Sequence, residues 1–405
     1  MNYKIPFVYL YHKSFEIRDY TPDIYINIRS IFSYFNGPMY KRIFNIESKL
    51  DEGMFLFGAR QTGKSTLLKE RFKGAIYYDL LNPRVRRALK QNPDSFWEAL
   101  QDKPAGTLVI VDEIQKIPEL LDVVHSLMVD RGLFFILSGS SARKLKRSGA
   151  NTLGGRAIPE TLYPLVWPEV TDFQIDRAVQ NGMIPRHYMV EDATKRLSGY
   201  VKVYLDEEIR EEGEVRELDA FERFMEVAAI SDGEMLNYSN IASDCGVSAK
   251  TVKSYFQILY DTLIGYEIPA FQKEIKRKIM QAPRFYYFDV GLANYLMGRY
   301  SLKRGTDDYG HAFEHLVVQE IIAYKGYNDK RDTISYWHTY DKKEVDVVIK
   351  DNLIENKEEI ISYVEKNISN INISLFNSLK WEERKEGFCL INNFLSDEKN
   401  LQEIN

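Results

Sequence analysis

The chain has 405 residues, of which 44% are hydrophobic and 28% charged, and its formal net charge is −5. This composition is typical of a globular protein and excludes a disordered one, and the length is sufficient for two or three domains. No run approaches the roughly 18 apolar residues that a membrane helix needs, so we expect no membrane partner. With only two cysteines, Cys245 and Cys389, the sequence excludes a disulfide framework, and a reducing cytoplasm is the simplest location.

A complete phosphate-binding loop motif, G-x-x-x-x-G-K-[ST], occupies residues 58–65, after an N-terminal extension of residues 1–37 to which we assign no role. Residues 54–57 predict a strand before the motif and residues 66–70 a helix after it. Such a loop turns backbone N–H groups and the positive end of the helix dipole toward one point, where the phosphates of ATP can bind. Lys64 would reach the β- and γ-phosphates, and Ser65 would ligate Mg²⁺. The expected nucleotide-binding residues are Gly58, Ala59, Arg60, Gln61, Thr62, Gly63, Lys64, Ser65 and Thr66.

A second motif follows a predicted strand at residues 75–80 and the start of a helix at residues 85–89. Residues 107–111 form the continuous apolar run expected of a buried parallel strand, and the run ends in Asp112 and Glu113. This is the form of a Walker B element, in which Asp112 would hold Mg²⁺ and Glu113 would polarise the attacking water as general base. The alternative is an edge strand followed by an acidic helix cap.

A further strand at residues 133–137 follows a helix-like segment at residues 119–130 and leads into Ser138 and Ser140. This order resembles that of the additional-strand ATPases, in which this strand lies between the phosphate-loop and Walker B strands and carries a polar γ-phosphate sensor at its tip. Ser138 is the nearer candidate for that sensor. Alternatively, the serines cap a helix that begins near Ala142. Alternating strands and helices through Arg156 predict a doubly wound α/β sheet, with loop and carboxylates at its carboxyl edge.

Several short motifs in a fixed order extend beyond this sheet. After the phosphate loop come VIVDEIQ at 109–115, LSGSS at 137–141, LGGR at 153–156, YPL at 163–165, PRFYYFDVGL at 283–292, GHAFE at 310–314, YWHT at 336–339 and EVD at 344–346. Over residues 38 to 357 the chain thereby resembles the prokaryotic AAA-type ATPases that carry a winged-helix segment and a C-terminal nuclease-like region of unknown function. It departs from that family at Ala59, where proline is usual.

The resemblance implies three regions after the N-terminal extension. These are an AAA-like ATPase domain with a parallel P-loop sheet at 38–170, a helical lid with a winged helix at 171–300, and a small α+β, nuclease-like and partly degenerate region at 301–405. It also implies that Arg156 is an arginine finger or sensor beside the γ-phosphate. The alternative for Arg156 is an ordinary surface arginine. A finger acting on another copy of the chain would require a homo-oligomer.

Residues 238–255 have the pattern of a helix-turn-helix. A short helix with Ile241 inward, a turn at Gly246, a cap at Ser248 and a second helix with Val252 inward fit that pattern. The residues expected to face a DNA groove are Ser248, Ala249, Lys250, Thr251 and Lys253, and residues 273–278 would form a wing that grips phosphate. From 240 to 305 ten basic and five acidic residues give a net charge of +5, which favours duplex DNA as a partner. The alternative is a lid that packs on the ATPase for structural reasons.

Glu314, Asp346, Glu355 and Lys357 have the order of a metal-dependent nuclease core. Only a tight turn fits between the strand at Asp346 and Glu355, where the family has a longer hairpin, so we expect a degenerate site. His311 and His315 also match an inverted zinc-protease signature, a pattern short enough to arise by chance.

The sequence therefore predicts a cytoplasmic, Mg²⁺-dependent ATPase of the AAA-like class that couples its nucleotide state to DNA or partner binding through the winged helix. Two alternatives remain: a nucleotide-gated DNA-binding switch with negligible turnover, and an ATP-regulated defence-type nuclease.

Overall fold

The computed structural model describes residues 40–47, 53–140, 153–205, 209, 218–271, 282–328, 333–338 and 344–350. All of them belong to one unit, Tyr40–Asn405. The N-terminal extension at 1–37 lies outside the described residues, as do the predicted wing at 273–278 and the chain after 350.

Five parallel strands form the central sheet. They are β1 (Gly53–Phe57), β2 (Ile76–Asp79), β3 (Leu108–Asp112), β4 (Phe134–Gly139) and β5 (Ala157–Thr161), in the order β2-β3-β4-β1-β5. Strand β4 pairs with β1 in the register Phe55↔Leu137 and with β3 in the register Ile110↔Ile136. The predicted strand between the phosphate-loop and Walker B strands is thus confirmed. The sheet has the fold of a P-loop ATPase domain.

Helices cover both faces of this sheet because its central strands, β1, β3 and β4, are apolar and buried on both sides. The helices of this half are α1 (Lys64–Arg71), α2 (Pro83–Gln91), α3 (Asp94–Leu100) and α4 (Leu120–Arg131). Phe55, Val109 and Leu137 point to the face that packs against α3 and α4. Their neighbours along the strands, Leu56 and Ile110 among them, point to the opposite face with α1. The predicted doubly wound α/β sheet is confirmed.

A helical region follows the sheet. Its helices are α5 (Ile175–Asn181), α6 (Pro185–Tyr188), α7 (Thr194–Tyr204), α8 (Leu218–Ile230), α9 (Tyr238–Cys245), α10 (Ala249–Asp261) and α11 (Val290–Leu296). An antiparallel pair, β6 (Gly265–Ile268) and β7 (Arg284–Tyr287), lies between α10 and α11 in the sequence. Aromatic rings dominate the core, where Phe224 lies edge-on to Phe256, and Phe256 edge-on to Phe285. Such edge-to-face packing fixes helix α10 against β7.

The last described elements are the 21-residue helix α12 (Asp307–Tyr327) and an antiparallel pair, β8 (Thr333–His338) and β9 (Glu344–Lys350). Thr306 begins α12 as its N-cap, since its side chain accepts a hydrogen bond from the N–H of Tyr309. Among the described helices, none is long and apolar enough to cross a membrane.

One carboxyl group of α12 lies against the loop that follows the sheet. The Glu320 Oε1 atom accepts a hydrogen bond of 3.0 Å from the N–H of Trp167. Burial raises the pKa of Glu320 to about 8, and the neighbouring Glu169 carboxylate acts in the same direction. The folded protein therefore holds a proton on Glu320 at pH values where the unfolded chain has lost it.

We predict that Glu320→Gln removes a pH dependence of stability. Because the folded pKa is raised, the contribution of Glu320 is fully present below about pH 4.5 and is lost as pH rises to about 8. Free energies of unfolding are measured by denaturant titration at pH 5, 6, 7 and 8. The value for the variant minus the value for the wild type should increase as pH rises. The same substitution at the exposed Glu234 is the control. A wild-type to Glu320→Gln difference that is constant across this range would contradict the prediction.

Candidate functional site

The phosphate loop leaves β1 at Phe57 and enters α1 at Lys64. At Gly58 a Cβ atom would lie 2.4 Å from the carbonyl oxygen of Leu162, whose N–H donates to the carbonyl of Phe57 at 2.8 Å. At Gly63 the backbone φ is 99°, which side chains other than glycine's rarely allow. Both glycines of the motif are therefore required by the backbone itself.

The Lys64 side chain lies inside the loop, with the residue only 5% exposed. Its ammonium donates hydrogen bonds to the carbonyl oxygens of Gly58, at 2.6 Å, and Ala59, at 3.0 Å. The Thr62 hydroxyl donates to the same Ala59 carbonyl at 2.9 Å. Arg60 is partly exposed, whereas Gln61 and Thr66 are exposed. The loop thus encloses one positive charge at the start of a helix, an arrangement that favours an anion.

The carboxylate of Asp112 lies at the end of β3 and is held by two hydroxyl groups. The Ser138 Oγ, on β4, donates to one of its oxygens and also accepts a bond of 3.3 Å from the N–H of Glu113. The Tyr77 hydroxyl, on β2, donates to the other oxygen at 2.5 Å. Tyr77 and the Ser138 contacts to Asp112 and Glu113 were not predicted from the sequence.

Ser65 belongs to the same group of oxygen atoms. Burial, followed by the charge of Asp112, raises the pKa of Tyr77, and a hydrogen bond with Ser65 opposes this rise. The hydroxyl of Ser65 and the carboxylate of Asp112 therefore both contact the hydroxyl of Tyr77. Hydroxyl and carboxylate oxygens are the donors that Mg²⁺ prefers, so this pair fits the predicted metal site.

Glu113 is held in a conformation that is costly for a residue with a side chain. Its backbone φ is 65°, in the left-handed region, and the residue is 8% exposed. The Gln115 Nε2 group donates to a carboxylate oxygen of Glu113 and, at 3.0 Å, to the Ser140 hydroxyl. Gln115 therefore sets the direction of the candidate general base; it ends the VIVDEIQ motif, which by itself predicted no such role.

The two serines at the end of β4 both face the Walker B residues, through Asp112 for Ser138 and through Gln115 for Ser140. The alternative role as caps concerned a helix near Ala142, which lies outside the described residues. A γ-phosphate sensor role for Ser138 stays a prediction.

Arg156 lies at the amino-terminal ends of the strands, whereas the phosphate loop lies at their carboxyl-terminal ends. It directly precedes β5, whose first residue pairs with the first residue of β1 in the register Gly53↔Ala157. The loop begins after the last residue of β1, about 15 Å farther along the strand at the usual rise per residue. Arg156 is therefore remote from the nucleotide of its own chain, and a role at the nucleotide of another copy stays a prediction.

The predicted helix-turn-helix residues form two consecutive helices, α9 and α10. Gly246 closes α9 in the left-handed conformation, and the Ser248 side chain caps α10 by accepting from the N–H of Thr251 at 3.1 Å. Lys250 and Lys253 are exposed on α10, and the Lys253 ammonium lies 5.1 Å from the ring centre of Tyr238. The two helices and the cap are as predicted.

The predicted nuclease carboxylates surround an arginine. The Arg284 Nη1 atom lies 3.1 Å from an oxygen of Asp346 and 3.8 Å from one of Glu314, and the residue is 3% exposed. Glu355 and Lys357 lie outside the described residues. Within the described part of the chain, no group of three or more His, Cys, Asp or Glu residues could hold a metal ion.

Both ring nitrogens of His315, the second histidine of the protease signature, contact groups of the protein. His315 Nδ1 lies 2.7 Å from an Asp232 oxygen, and its Nε2 lies 2.7 Å from the carbonyl oxygen of Tyr287. Burial lowers the pKa of His315, but Asp232, the Tyr287 carbonyl and Asp289 together more than offset this, so the net pKa is raised.

Comparison with known proteins divides the chain into three segments. Residues 51–171 match the model of an AAA domain, and residues 172–303 and 309–393 match two different domains of unknown function. Uncharacterized proteins of Mycobacterium bovis and Mycobacterium tuberculosis are each 26% identical over 281 residues, which is 67% of this chain. The match spans 62% of the length of these curated relatives.

Two solved structures are distantly similar. A Walker-type ATPase of Pyrococcus abyssi is 14% identical, with a TM-score of 0.39, covering 64% of this chain and 98% of that one. The ORC1 protein of Aeropyrum pernix in complex with DNA is 12% identical, with a TM-score of 0.25, covering 68% and 94%. The AAA match together with the sheet identifies residues 51–171 as an AAA-type P-loop domain.

We predict that Tyr77→Phe lowers the affinity for the Mg²⁺ that supports nucleotide binding. Removing the phenol deletes one of the two donors that orient Asp112, and partners of this kind typically contribute 10- to 100-fold to metal affinity. Titrating Mg²⁺ against a fluorescent ATP analogue should show at least a roughly tenfold higher midpoint in the variant. Tyr78→Phe is the matched control on the neighbouring residue, which packs edge-on against Phe96. Equal midpoints for Tyr77→Phe and wild type would contradict the assigned role.

Proposed function

We propose that this protein binds Mg²⁺-ATP in the loop from Gly58 to Thr66 and hydrolyses it with Glu113 as general base. The observation that carries the proposal is the common position of three groups: the ammonium of Lys64 inside the loop, the Ser65–Asp112 oxygen pair, and the buried, left-handed Glu113. Mg²⁺, when bound, would neutralise charge on the phosphate oxygens as the γ-phosphoryl group leaves.

The residues of the chain would divide the work as follows. Lys64 and the loop N–H groups would bind and orient the triphosphate. Glu113 would accept a proton from the attacking water, in the orientation that Gln115 imposes through its amide. Ser138 would hold Asp112 and the Glu113 backbone at a fixed separation, since it contacts both. Arg156 of one copy would complete the nucleotide site of another copy. Hydrolysis would then depend on assembly.

Lys64→Ala and Glu113→Gln should separate binding from turnover. Losing the ammonium should abolish detectable ATP binding, whereas Glu113→Gln should bind ATP with near wild-type affinity and lose on the order of 100-fold or more in turnover. Equilibrium binding and steady-state phosphate release measure the two effects. Lys73→Ala and Glu119→Gln are charge-matched controls at exposed positions.

Two other results would contradict the proposal or favour its alternative. Unchanged hydrolysis in both variants would contradict it. ATP binding with negligible phosphate release by the wild type, with and without duplex DNA, would instead support a nucleotide-gated switch. Measuring turnover over a range of protein concentrations also tests assembly, because a site completed by another copy loses activity per molecule on dilution.

We further propose that the α9–α10 pair binds duplex DNA and that the nucleotide state of the loop changes its affinity for DNA. Support comes from the exposed Lys250 and Lys253 on α10, the cap at Ser248 and the positive charge of this part of the sequence. In the helix-turn-helix geometry the N-terminal part of the second helix enters the major groove. Phosphate contacts by these lysines would bind DNA with little preference for sequence.

The double variant Lys250→Ala, Lys253→Ala should weaken duplex binding and flatten its salt dependence. Each lost phosphate contact reduces the slope of log K against log salt by about 1, so the slope should fall by about 2. Fluorescence anisotropy with a labelled duplex from 50 to 200 mM salt measures it. Lys195→Ala, Lys202→Ala on α7 changes the charge equally at exposed positions and should leave the slope unaltered. If both double variants behave alike, α10 is not the contact surface.

A further inference from the structure

A buried arginine outside the matched AAA segment contacts the phosphate loop. Arg42 precedes that segment, which begins at residue 51, and is 7% exposed. Its Nη1 atom donates a hydrogen bond of 2.6 Å to the carbonyl oxygen of Thr62. Its Nη2 atom donates to the carbonyl oxygens of Tyr163, at 2.8 Å, and Pro164, at 3.2 Å. One guanidinium therefore joins the loop to the chain segment that follows the sheet.

The contact to Thr62 fixes the direction of the next N–H group. In a planar trans peptide the C=O and the following N–H point in opposite directions. Because the Thr62 carbonyl points at Arg42, the Gly63 N–H is turned away from Arg42 and toward the other side of the loop backbone. Gly63 permits this turn at its φ of 99° and is the N-cap residue of α1. An N–H in this place is one of those that bind phosphate in such loops.

The guanidinium is itself held in place by a buried carboxylate. Arg42 Nε lies 2.9 Å from Glu169 Oε2, and the Glu169 side chain is fully buried. Glu169 also accepts hydrogen bonds from the N–H of Ile43, at 2.8 Å, and of Val166, at 3.1 Å. The ion pair is thus compensated and fixed in orientation before any ligand binds.

The same guanidinium reaches the far end of α12. Arg42 Nη2 donates at 3.0 Å to the hydroxyl of Tyr327, the last residue of that helix, and this hydroxyl also accepts from the N–H of Tyr163 at 3.2 Å. The Tyr327 ring lies 5.3 Å, centre to centre, from the rings of both Phe44 and Tyr163. The loop carbonyl and the end of α12 thus accept hydrogen bonds from the same guanidinium.

We propose that Arg42 is a positioning residue for the phosphate loop, which orients the Gly63 N–H toward a bound nucleoside triphosphate and links loop occupancy to the end of α12. The inference rests on the proposed nucleotide site. Linkage makes this coupling reciprocal. If bound nucleotide stabilises the Arg42–Tyr327 contact, that contact raises the affinity for nucleotide by the same factor.

Arg42→Lys is the decisive variant, because it keeps the charge beside Glu169 but loses the forked geometry that reaches Thr62 and Tyr327 together. Its ATP affinity, measured per folded molecule, should fall roughly tenfold, as for the loss of one charge-assisted hydrogen bond. KM should rise with kcat changed little, since the Gly63 N–H would bind phosphate in both ground and transition states. A purely structural role would lower the melting temperature and leave affinity and KM unmoved.

Arg304→Lys is the matched control. Arg304 makes a two-pronged ion pair with Asp176, through Nε at 2.6 Å and Nη2 at 2.8 Å, so its forked geometry serves a contact outside the loop. It should leave ATP affinity unaltered. Lys64→Ala tests the nucleotide site independently: wild type that binds, Lys64→Ala that does not, and Arg42→Lys equal to wild type would overturn this inference alone. A wild type that binds no ATP would overturn both.

Tyr327→Phe tests the link to α12. In the wild type ATP should slow amide hydrogen exchange in residues 320–327, and in Tyr327→Phe that nucleotide-dependent slowing should be lost while the variant binds ATP more tightly than Arg42→Lys does. Slowing of equal size in wild type and Tyr327→Phe, or no slowing in a wild type that binds ATP, would overturn the link.

Discussion

The parallel pairing of β4 with both β1 and β3 is the constraint on which the rest of the site depends. It places the carboxyl end of β1, where the phosphate loop begins, two strands away from Asp112 at the end of β3. The tip of β4 between them carries Ser138, whose hydroxyl bonds to Asp112. With β4 between them, the ends of β1 and β3 lie about 10 Å apart at the usual strand spacing, which leaves room for a phosphate group between Lys64 and Glu113.

The local motifs were predictable because their chemistry is encoded within a few consecutive residues. The phosphate loop, the apolar strand ending at Asp112, the Ser248 cap and the alternation of strand and helix all have this property, and the sheet agrees with them. Tyr77 and Arg42 were missed because tertiary packing selects their partners, whereas Gln115 was missed because its spacing from Glu113 does not by itself fix the direction of the two side chains. The Arg42–Tyr327 bond joins residues 285 positions apart, and no periodicity or spacing records such a contact.

Two of the predicted nuclease carboxylates share one buried arginine. Asp346 and Glu314 both face the Arg284 guanidinium, which also lies 4.8 Å from the Tyr336 ring centre. A buried guanidinium is stable only with such compensation, and removing both carboxylates would leave its charge uncompensated. A divalent cation at the same carboxylates would be repelled by Arg284. The motif order indicated a nuclease core; in the described residues these two carboxylates pair with Arg284, and the degenerate nuclease site stays a prediction.

Helix α12 is bound to the rest of the chain by charged contacts along its length. His315 contacts Asp232, Glu314 contacts Arg284, and Tyr327 contacts Arg42 beside the phosphate loop. A nucleotide can shift this arrangement only if it binds one arrangement more tightly than another. The contacts in the middle of α12 involve carboxylates, whereas at Tyr327 a neutral hydroxyl accepts from the Arg42 guanidinium. If Arg42 links the loop to α12 as proposed, a change at the loop would act on the Tyr327 end of the helix, because that is the end which Arg42 contacts.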